Sequence, residues 1–118
     1  MSDCPFCKIV RGEIPATIVA RTDDALAFSD LNPQAPTHVL VIPTRHAENL
    51  GDFVRIATPH EVGAFFGLAA TIGRQAGGDG PEARGYRIVA NEGRDGGQTV
   101  AHLHVHVLAG RRLGWPPG

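Results

Sequence analysis

The sequence predicts an α+β fold: a mostly antiparallel five-stranded sheet, one long helix and a short N-terminal helix, within a single domain spanning residues 1–118. Short runs of apolar and β-branched residues are separated by turn residues, which is typical of strands that pair through hairpins. One longer segment, between the third and fourth runs, has apolar residues at helical spacing, which favours a helix packed on one face of the sheet. A chain of 118 residues, 42% of them hydrophobic, suffices for one core and is too short for two domains.

The N-terminal part of the chain predicts a short helix followed by a hairpin. Apolar side chains at helical spacing predict the helix over Pro5–Arg11, and Gly12 closes it. Ile18–Arg21 and Ala25–Ser29 flank the polar turn Thr22–Asp24. These two runs are therefore predicted to pair as antiparallel strands.

The middle of the chain predicts a buried strand and then the long helix. His38–Ile42 is apolar and β-branched, which is typical of a central strand. Thr58, Pro59 and Glu61 predict a helix start with a capping box, because they provide an N-cap, a first-turn proline and an acceptor at the third helical position. We expect this helix to end near Gly77. Its apolar positions are Val62, Phe65, Phe66, Ala69, Ala70 and Ile72.

The last two strands are predicted over Tyr86–Ala90 and Ala101–Leu108, on either side of the glycine-rich loop Asn91–Thr99. Glycines in such a loop are interpreted in two ways. They form either an ordinary flexible turn or a place where backbone N–H groups approach an anion.

The charge balance bears on the class of partner. The chain carries 11 Lys and Arg against 12 Asp and Glu, a formal net charge of -1, with no basic run. Nucleic-acid binding depends on neutralising backbone phosphates, so this composition argues against a nucleic-acid partner. Charge-free stretches such as Val62–Ile72 are far shorter than the ~20 apolar residues of a membrane span, and the first residues lack a secretory pattern. We expect a cytoplasmic protein that binds a small molecule.

The clearest chemical motif is the alternation of His102, His104 and His106 with aliphatic residues. In a strand, side chains two residues apart emerge on one face, so the three imidazoles are predicted to line one surface. Three interpretations fit this pattern: a solvent-facing row of histidines, a three-histidine metal site, or imidazole chemistry on a phosphoryl group.

The run His-Leu-His-Val-His-Val-Leu at 102–108 resembles the signature of the histidine triad (HIT) family. The flanking segments are similar to its HINT branch of nucleotide-binding phosphoramidases, and the similarity covers nearly the whole chain. The segments that support this resemblance are Phe6–Ile9, Glu13–Pro15, Leu26–Asp30, Pro33–His38, Asn91–Gly93, Gly96–Val100 and Trp115–Gly118.

The resemblance implies an enzyme that cleaves P–N, and also acyl-phosphate, bonds at the α-phosphate of purine nucleoside monophosphate derivatives. His104 would be the nucleophile and form a nucleotidyl-histidine intermediate, while His106 would stabilise charge on the phosphoryl oxygens. Imidazole suits both half-reactions, because with a pKa near 6.5 it is largely neutral at pH 7 and leaves phosphorus readily. Thr99, where the family has serine, would lie beside the leaving group with Gln98.

The resemblance also implies a nucleotide site. Asp30 would accept the ribose hydroxyls and Asn91 would contact ribose or phosphate, whereas a bland interpretation makes Asp30 a turn-forming residue. His38 is interpreted either as a support of the triad or as a core histidine. The further positions implied by the resemblance are Ile14, Phe28 and Leu31 around the purine, Gly97 at the phosphate, and Trp115 from a second subunit.

Cys4 and Cys7 form a C-x-x-C pair, which in a reducing compartment indicates a metal half-site or a redox motif more often than a disulfide. With His46 and His102 they resemble the zinc site of bacterial HIT proteins, which implies a structural zinc ion. Two cysteines and two histidines are a ligand set that suits tetrahedral zinc.

A homodimer is predicted, with sheets joined across a twofold axis. The aromatic and aliphatic residues Phe53, Val62, Phe65 and Phe66 exceed what one small core readily absorbs. The two prolines after Trp115 stiffen the C-terminal segment, and resemblance to the HINT branch implies that this Trp borders the partner's leaving-group pocket.

Two other functions are weighed against the phosphoramidase. One is a dinucleoside polyphosphate hydrolase, against which the Trp-Pro-Pro-Gly ending argues by resemblance. The other is a non-catalytic sensor that binds purine nucleotides or a protein partner without turnover.

Overall fold

The computed structural model describes residues 4–118, which form a five-stranded antiparallel sheet with helices around it. In chain order the elements are α1 (Pro5–Val10), β1 (Ile18–Arg21), β2 (Ala25–Ser29), β3 (Thr37–Pro43), α2 (Leu50–Ile56), α3 (Pro59–Gly77), β4 (Arg87–Ala90), α4 (Gly93–Gly96) and β5 (Val105–Ala109). The strand order is β1-β2-β3-β5-β4, and every neighbouring pair is antiparallel. The predicted α+β class and five-stranded sheet are confirmed.

Strand β3 lies at the centre of the sheet and is buried on both faces. Val39 and Val41 face α3, whereas Leu40 and Ile42 face α1. Side chains along a strand alternate between faces, so an uninterrupted apolar run is what a strand covered on both sides requires.

Helix α3 begins with the predicted capping box. The Thr58 side chain accepts a hydrogen bond from the Glu61 N–H at 3.1 Å, and the Glu61 carboxylate accepts one from the Thr58 N–H at 3.1 Å. Arg45 also donates to this carboxylate at 2.7 Å, and that hydrogen bond is the main reason why the pKa of Glu61 falls to about 2. The start at Pro59 and the end at Gly77 agree with the prediction.

The triad strand begins later than predicted, at Val105 instead of Ala101. The strand begins there because Val105 is the first residue of this segment that pairs with β3, opposite Val41, and with β4, opposite Ala90. Residues before it bond elsewhere: the Leu103 N–H donates to the Ala47 carbonyl at 2.7 Å.

Two short helices were not predicted. Helix α2 is capped by Asn49, whose side chain accepts from the Asp52 N–H at 2.8 Å. Helix α4 lies in the glycine-rich loop and ends at Gly97, whose φ of 83° is a left-handed conformation that favours glycine. The Asn49-x-x-Asp52 spacing was the available signal for α2.

The apolar surplus from which a dimer was inferred lies largely inside the chain. Phe53 and Phe65 are fully buried in the core between α3 and the sheet, and Val62 and Phe66 are partly buried against it. Instead, exposed apolar area lies at Leu31 and Trp115, which are 97% and 82% exposed. Among residues 4–118 no helix has both the length and the apolar character to span a membrane.

Candidate active site and metal centre

The three histidines of the motif lie on the α1 side of the sheet. Leu103, Val105 and Val107, which alternate with them, are buried in the core beneath α3. The rings of His104 and His106 are 5.2 Å apart between centroids. The expected common face is therefore present, although His102 and His104 precede the strand.

His104 is oriented by a backbone hydrogen bond. Its Nδ1 lies 2.9 Å from the carbonyl oxygen of His102, and because a carbonyl only accepts, Nδ1 carries the proton. In the neutral ring Nε2 then holds the lone pair. His104 is 5% exposed, so the lone pair on Nε2 is largely shielded from water.

In His106 the proton is on the other ring nitrogen, Nε2, and the hydrogen bonds of His38 determine this. The Gln34 N–H donates to His38 Nδ1 at 3.0 Å, so the proton of neutral His38 is on Nε2, 2.9 Å from His106 Nδ1. His106 Nδ1 thus accepts and its Nε2 carries the proton. Burial, together with the neighbouring His104 and His38, lowers the pKa of His106 and favours this neutral form.

Asp30 joins His38 and His106 in a cluster whose ligand-type atoms lie within 4.8 Å of one another. Its Oδ2 is 3.4 Å from His38 Nε2, and its Oδ1 accepts from the Asn32 N–H at 2.8 Å. Since His38 must keep its proton on Nε2 to receive the Gln34 N–H at Nδ1, this nitrogen has no lone pair for a metal. The cluster is a hydrogen-bond network.

An apolar pocket of about 310 Å³ lies beside this network. It brings together four of the positions expected around the nucleotide: Ile14, Phe28, Asp30 and Leu31. Helix α1 supplies a further wall through Pro5, Phe6 and Ile9, which the sequence did not predict as site residues. The helical spacing of Phe6 and Ile9 indicated only that both would be buried.

The glycine-rich loop positions Asn91 and Gln98 through backbone contacts. Asn91 Nδ2 donates to the Gly96 carbonyl at 2.6 Å. The side-chain oxygen of Gln98 accepts from the Gly93 N–H at 3.2 Å, and its amide donates to backbone carbonyls. Both side chains therefore hold the loop in shape. Thr99 borders a separate surface pocket of about 420 Å³, and Trp115 does not line the apolar pocket.

The second cluster consists of Cys4, Cys7, His46 and His102, whose donor atoms all lie within 4.8 Å of one another. Sγ of Cys7 is 3.2 Å from His46 Nδ1, and Sγ of Cys4 is 3.4 Å from His102 Nδ1. The start of α1 brings the two sulfurs together, because three residues span about one helical turn.

The chemistry of this donor set fits zinc. Nε2 of His102 lies 3.2 Å from the Pro43 carbonyl and donates to it, so Nδ1 directs its lone pair into the cluster. Burial lowers the pKa of His102 to about 4, which keeps the ring neutral as a metal ligand must be. Two sulfurs and two imidazole nitrogens would together supply the four protein ligands that a structural zinc ion takes.

Comparison with known sequences identifies the relatives of this chain. A profile of the HIT domain matches residues 11–113. A 13.2 kDa HIT-like protein from Azospirillum brasilense is 50% identical over 109 residues, which cover 92% of this chain and 87% of that protein. A 14 kDa zinc-binding protein from Zea mays is 41% identical over 122 residues, which cover 100% and 91% of the two chains.

Solved structures agree with these sequence matches. A HIT family hydrolase from Legionella pneumophila superposes with a TM-score of 0.81 at 41% identity, covering 98% of this chain and 100% of that one. A Zn-bound histidine triad family protein from Mycobacterium smegmatis superposes with a TM-score of 0.79 at 34% identity, covering 98% and 80%.

Proposed function

The chain belongs to the HIT family, and from this premise we propose that it is a HINT-type phosphoramidase that hydrolyses P–N bonds, and also acyl-phosphate bonds, of purine nucleoside monophosphates. A hydrolase that binds nucleotides is the general activity that its relatives support. The observation that supports the finer proposal most directly is the complementary protonation of His104 and His106. One ring offers a lone pair at Nε2 and its neighbour offers a proton at Nε2.

In the first step that we propose, Nε2 of His104 attacks the α-phosphorus. The P–N bond breaks, its electron pair leaves with the amine, and the amine takes a proton from water. The His106 Nε2–H stabilises the negative charge of the phosphoryl oxygens. The hydrogen bond from His104 Nδ1 to the His102 carbonyl stabilises the cationic phosphoimidazole.

In the second step, water attacks the same phosphorus and the bond to His104 breaks. The electron pair returns to Nε2, the nucleoside monophosphate is released, and the water's proton passes to solvent. The ring regains its starting protonation, because Nδ1–H has remained bonded to the His102 carbonyl throughout.

The purine is proposed to occupy the apolar pocket. Ile14, Phe28 and Leu31 offer flat and aliphatic surface for the base, while Asp30 lies at the same pocket with a carboxylate that accepts from ribose hydroxyls. Gly97, Gln98 and Thr99 are assigned to the phosphate and leaving-group side, and Asn91 holds that loop.

Zinc, the predicted cofactor, is confirmed by the Cys/His cluster together with the zinc-bearing relatives. We propose Cys4, Cys7, His46 and His102 as its ligands. When bound, zinc fixes these chain segments relative to one another, and bond breaking is carried out by the histidines. The thiolate ligands are consistent with a reducing cytoplasm.

We further propose that residues 1–118 act as one domain within a homodimer, without nucleic-acid or membrane partners. Strand β4 is at an edge of the sheet, so its outer N–H and C=O groups are available to a second copy. Exposed Trp115 would then border the leaving-group pocket of that copy.

The function is tested by incubating zinc-loaded protein with adenosine phosphoramidates, acyl-adenylates and dinucleoside polyphosphates, and measuring nucleoside monophosphate release. We expect turnover of the first two classes. Turnover of dinucleoside polyphosphates alone would instead identify a polyphosphate hydrolase. Tight AMP binding without any turnover would identify a sensor.

A further inference from the structure

Phe6 lies between the two cysteines of the metal cluster and contacts three different parts of the site. Its ring centroid is 5.2 Å from that of His104, 5.8 Å from that of His102 and 5.5 Å from that of Phe28, each time edge to face. Phe6 is 9% exposed, so these contacts bury its ring almost completely. One side chain thus joins the nucleophile, a metal ligand and the nucleotide pocket.

The orientation of His104 depends on such a neighbour. The hydrogen bond from Nδ1 to the His102 carbonyl fixes one atom of the imidazole, but the angular tolerance of a single hydrogen bond still permits a limited rotation of the ring about its Cβ–Cγ bond. The Phe6 ring packs at an interplanar angle of 82° and restricts this rotation. The direction of the Nε2 lone pair therefore depends on where Phe6 sits.

The position of Phe6 depends in turn on α1. This helix has six residues, too few to be stable without tertiary contacts. It is held by the buried apolar cluster to which Phe6 belongs, with Leu26, Phe28, Leu40 and Ile42, and by the proposed ligands Cys4 and Cys7 on either side of Phe6. The same helix forms one wall of the apolar pocket.

We propose that Phe6 is a positioning residue that links the zinc site to the nucleophile and to the purine pocket, so that zinc and purine nucleotide bind cooperatively. The inference rests on the proposed function for its choice of ligand. Because coupling between two sites is reciprocal, nucleotide must strengthen zinc binding by the same factor by which zinc strengthens nucleotide binding.

The test measures AMP affinity by calorimetry, with zinc bound and after chelation, alongside zinc affinity by competition with a chromophoric chelator. We expect the AMP Kd of the wild type to rise on the order of tenfold when zinc is removed, within the usual range of coupling between sites. In Phe6→Leu the ratio of the AMP Kd without zinc to the AMP Kd with zinc should fall below about twofold. The kcat of the zinc-loaded variant should fall on the order of tenfold. Phe6→Tyr, which keeps the ring, should restore both.

Phe65→Leu is the matched control. Phe65 belongs to α3 and is fully buried against Phe53 and Phe66 on the opposite face of the sheet, and the substitution removes a similar apolar area. We expect Phe65→Leu to lower the unfolding midpoint. The AMP affinity, the ratio of AMP Kd values without and with zinc, and kcat should all stay unchanged.

Several outcomes would overturn the inference. One is an equal AMP Kd with and without zinc in the wild type, and another is a Phe6→Leu protein with wild-type coupling and kcat. Circular dichroism will show whether the chelated protein unfolds. If it does, Phe6→Leu and Phe65→Leu are compared in zinc-loaded form, and the same kcat and the same AMP Kd in the two variants would overturn the inference. Coupling that depends on Phe6 without phosphoramidate cleavage supports the inference and contradicts the proposed reaction. Absence of AMP binding contradicts both.

Discussion

At the scale of single residues, hydrogen-bond direction determines which nitrogen of each histidine carries the proton. A backbone carbonyl holds the Nδ1–H of His104, whereas a backbone N–H occupies Nδ1 of His38 and thereby places a proton between His38 and His106. When both rings are neutral, His104 has a lone pair on Nε2 for its proposed role as nucleophile, and His106 has a proton on Nε2 for its proposed role as donor. The fixed backbone groups, which do not titrate, maintain this difference.

The first prediction concerns the nucleophile. His104→Ala should lower kcat by several orders of magnitude, because no covalent intermediate can form, while AMP binding persists. His106→Ala should lower kcat by about 10² to 10³, the usual loss for one donor to developing charge. Steady-state assays with an adenosine phosphoramidate measure the loss of kcat, and calorimetry with AMP measures the retained binding. Substantial turnover by His104→Ala would contradict the assignment.

The second prediction concerns His38, which touches His106 and no part of the proposed reacting group. His38→Leu leaves His106 Nδ1 without its donor, so the proton can move from Nε2 to Nδ1 and kcat should fall by about 10². His38→Gln keeps an amide donor and should retain more activity. A role in packing alone would predict the reverse order, because Leu is the better core residue. Zinc content should remain the same in both variants.

At the scale of elements, periodicity predicted what depends on local spacing. The hairpin β1–β2 and the ends of α3 follow from apolar alternation, turn residues and a capping box, and β3 (Thr37–Pro43) begins one residue before the predicted His38 and ends one residue after Ile42. The start of β5 could not be predicted, because it depends on where its neighbours β3 and β4 stop. The contact of His38 with His106, 68 residues apart, is likewise visible only after folding.

The same distinction applies to the candidate site. The spacing of Cys4 and Cys7 and the alternation of the triad indicated two chemical clusters, because each is a local pattern. By contrast, Phe6 was expected only as an apolar helix position. Its role as a contact between the clusters depends on how α1 docks against the sheet.

The third prediction concerns the charge at the start of α3. The folded-state pKa of Glu61 is about 2, below its ordinary 4.5, so the stability it contributes is complete above pH 4.5 and is lost as pH falls towards 2. Glu61→Gln keeps a capping acceptor but loses the charge that pairs with Arg45. The wild type should therefore exceed the variant in unfolding free energy at pH 6, with the difference vanishing near pH 2. Urea titrations of both proteins measure it, and loss of zinc in acid affects both alike. A difference independent of pH would contradict the prediction.

The fourth prediction compares two glycines within α3. A Cβ at Gly73 would lie 2.3 Å from the Tyr86 ring, whereas a Cβ at Gly67 would meet nothing within 4 Å. Gly73→Ala should therefore destabilise the protein by about 1–3 kcal/mol through overpacking. Gly67→Ala should stabilise it by about 0.5–1 kcal/mol, because alanine loses less backbone entropy in a helix. Urea unfolding of zinc-saturated protein measures both, and equal signs would show that α3 and Tyr86 are not in this contact.

At the scale of the whole molecule, the two faces of the sheet differ in what they carry. One face packs against α3 and forms a core of aliphatic and aromatic side chains, including Phe53 and Phe65. The other face carries α1, the histidines and the apolar pocket. Leu103, Val105 and Val107 are buried in the core, so the triad imidazoles that alternate with them are held by a well-packed segment.

The C-terminal segment is attached to the edge of this sheet. Arg87 on β4 donates to the Gly114 carbonyl at 2.8 Å, which holds the chain beside the edge strand just before exposed Trp115. If β4 pairs with β4 of a second copy, each Trp115 is carried towards the other copy. We therefore predict a dimer at micromolar concentration by sedimentation velocity, and a monomer would contradict it.

The fifth prediction follows from that geometry and tests whether Trp115 acts across the dimer. Trp115→Ala should change the ratio of kcat/KM between bulky and small amine leaving groups, while His104→Ala is inactive. In a dimer formed from one subunit of each variant, the intact His104 belongs to the subunit that lacks Trp115, and the intact Trp115 belongs to its partner. If Trp115 borders the partner's pocket, the mixed dimer has the wild-type ratio at the site with the intact His104, because the intact Trp115 of the other subunit reaches that site. If Trp115 instead borders the pocket of its own subunit, the mixed dimer has the same ratio of kcat/KM values as the Trp115→Ala dimer. That result would exclude the shared site.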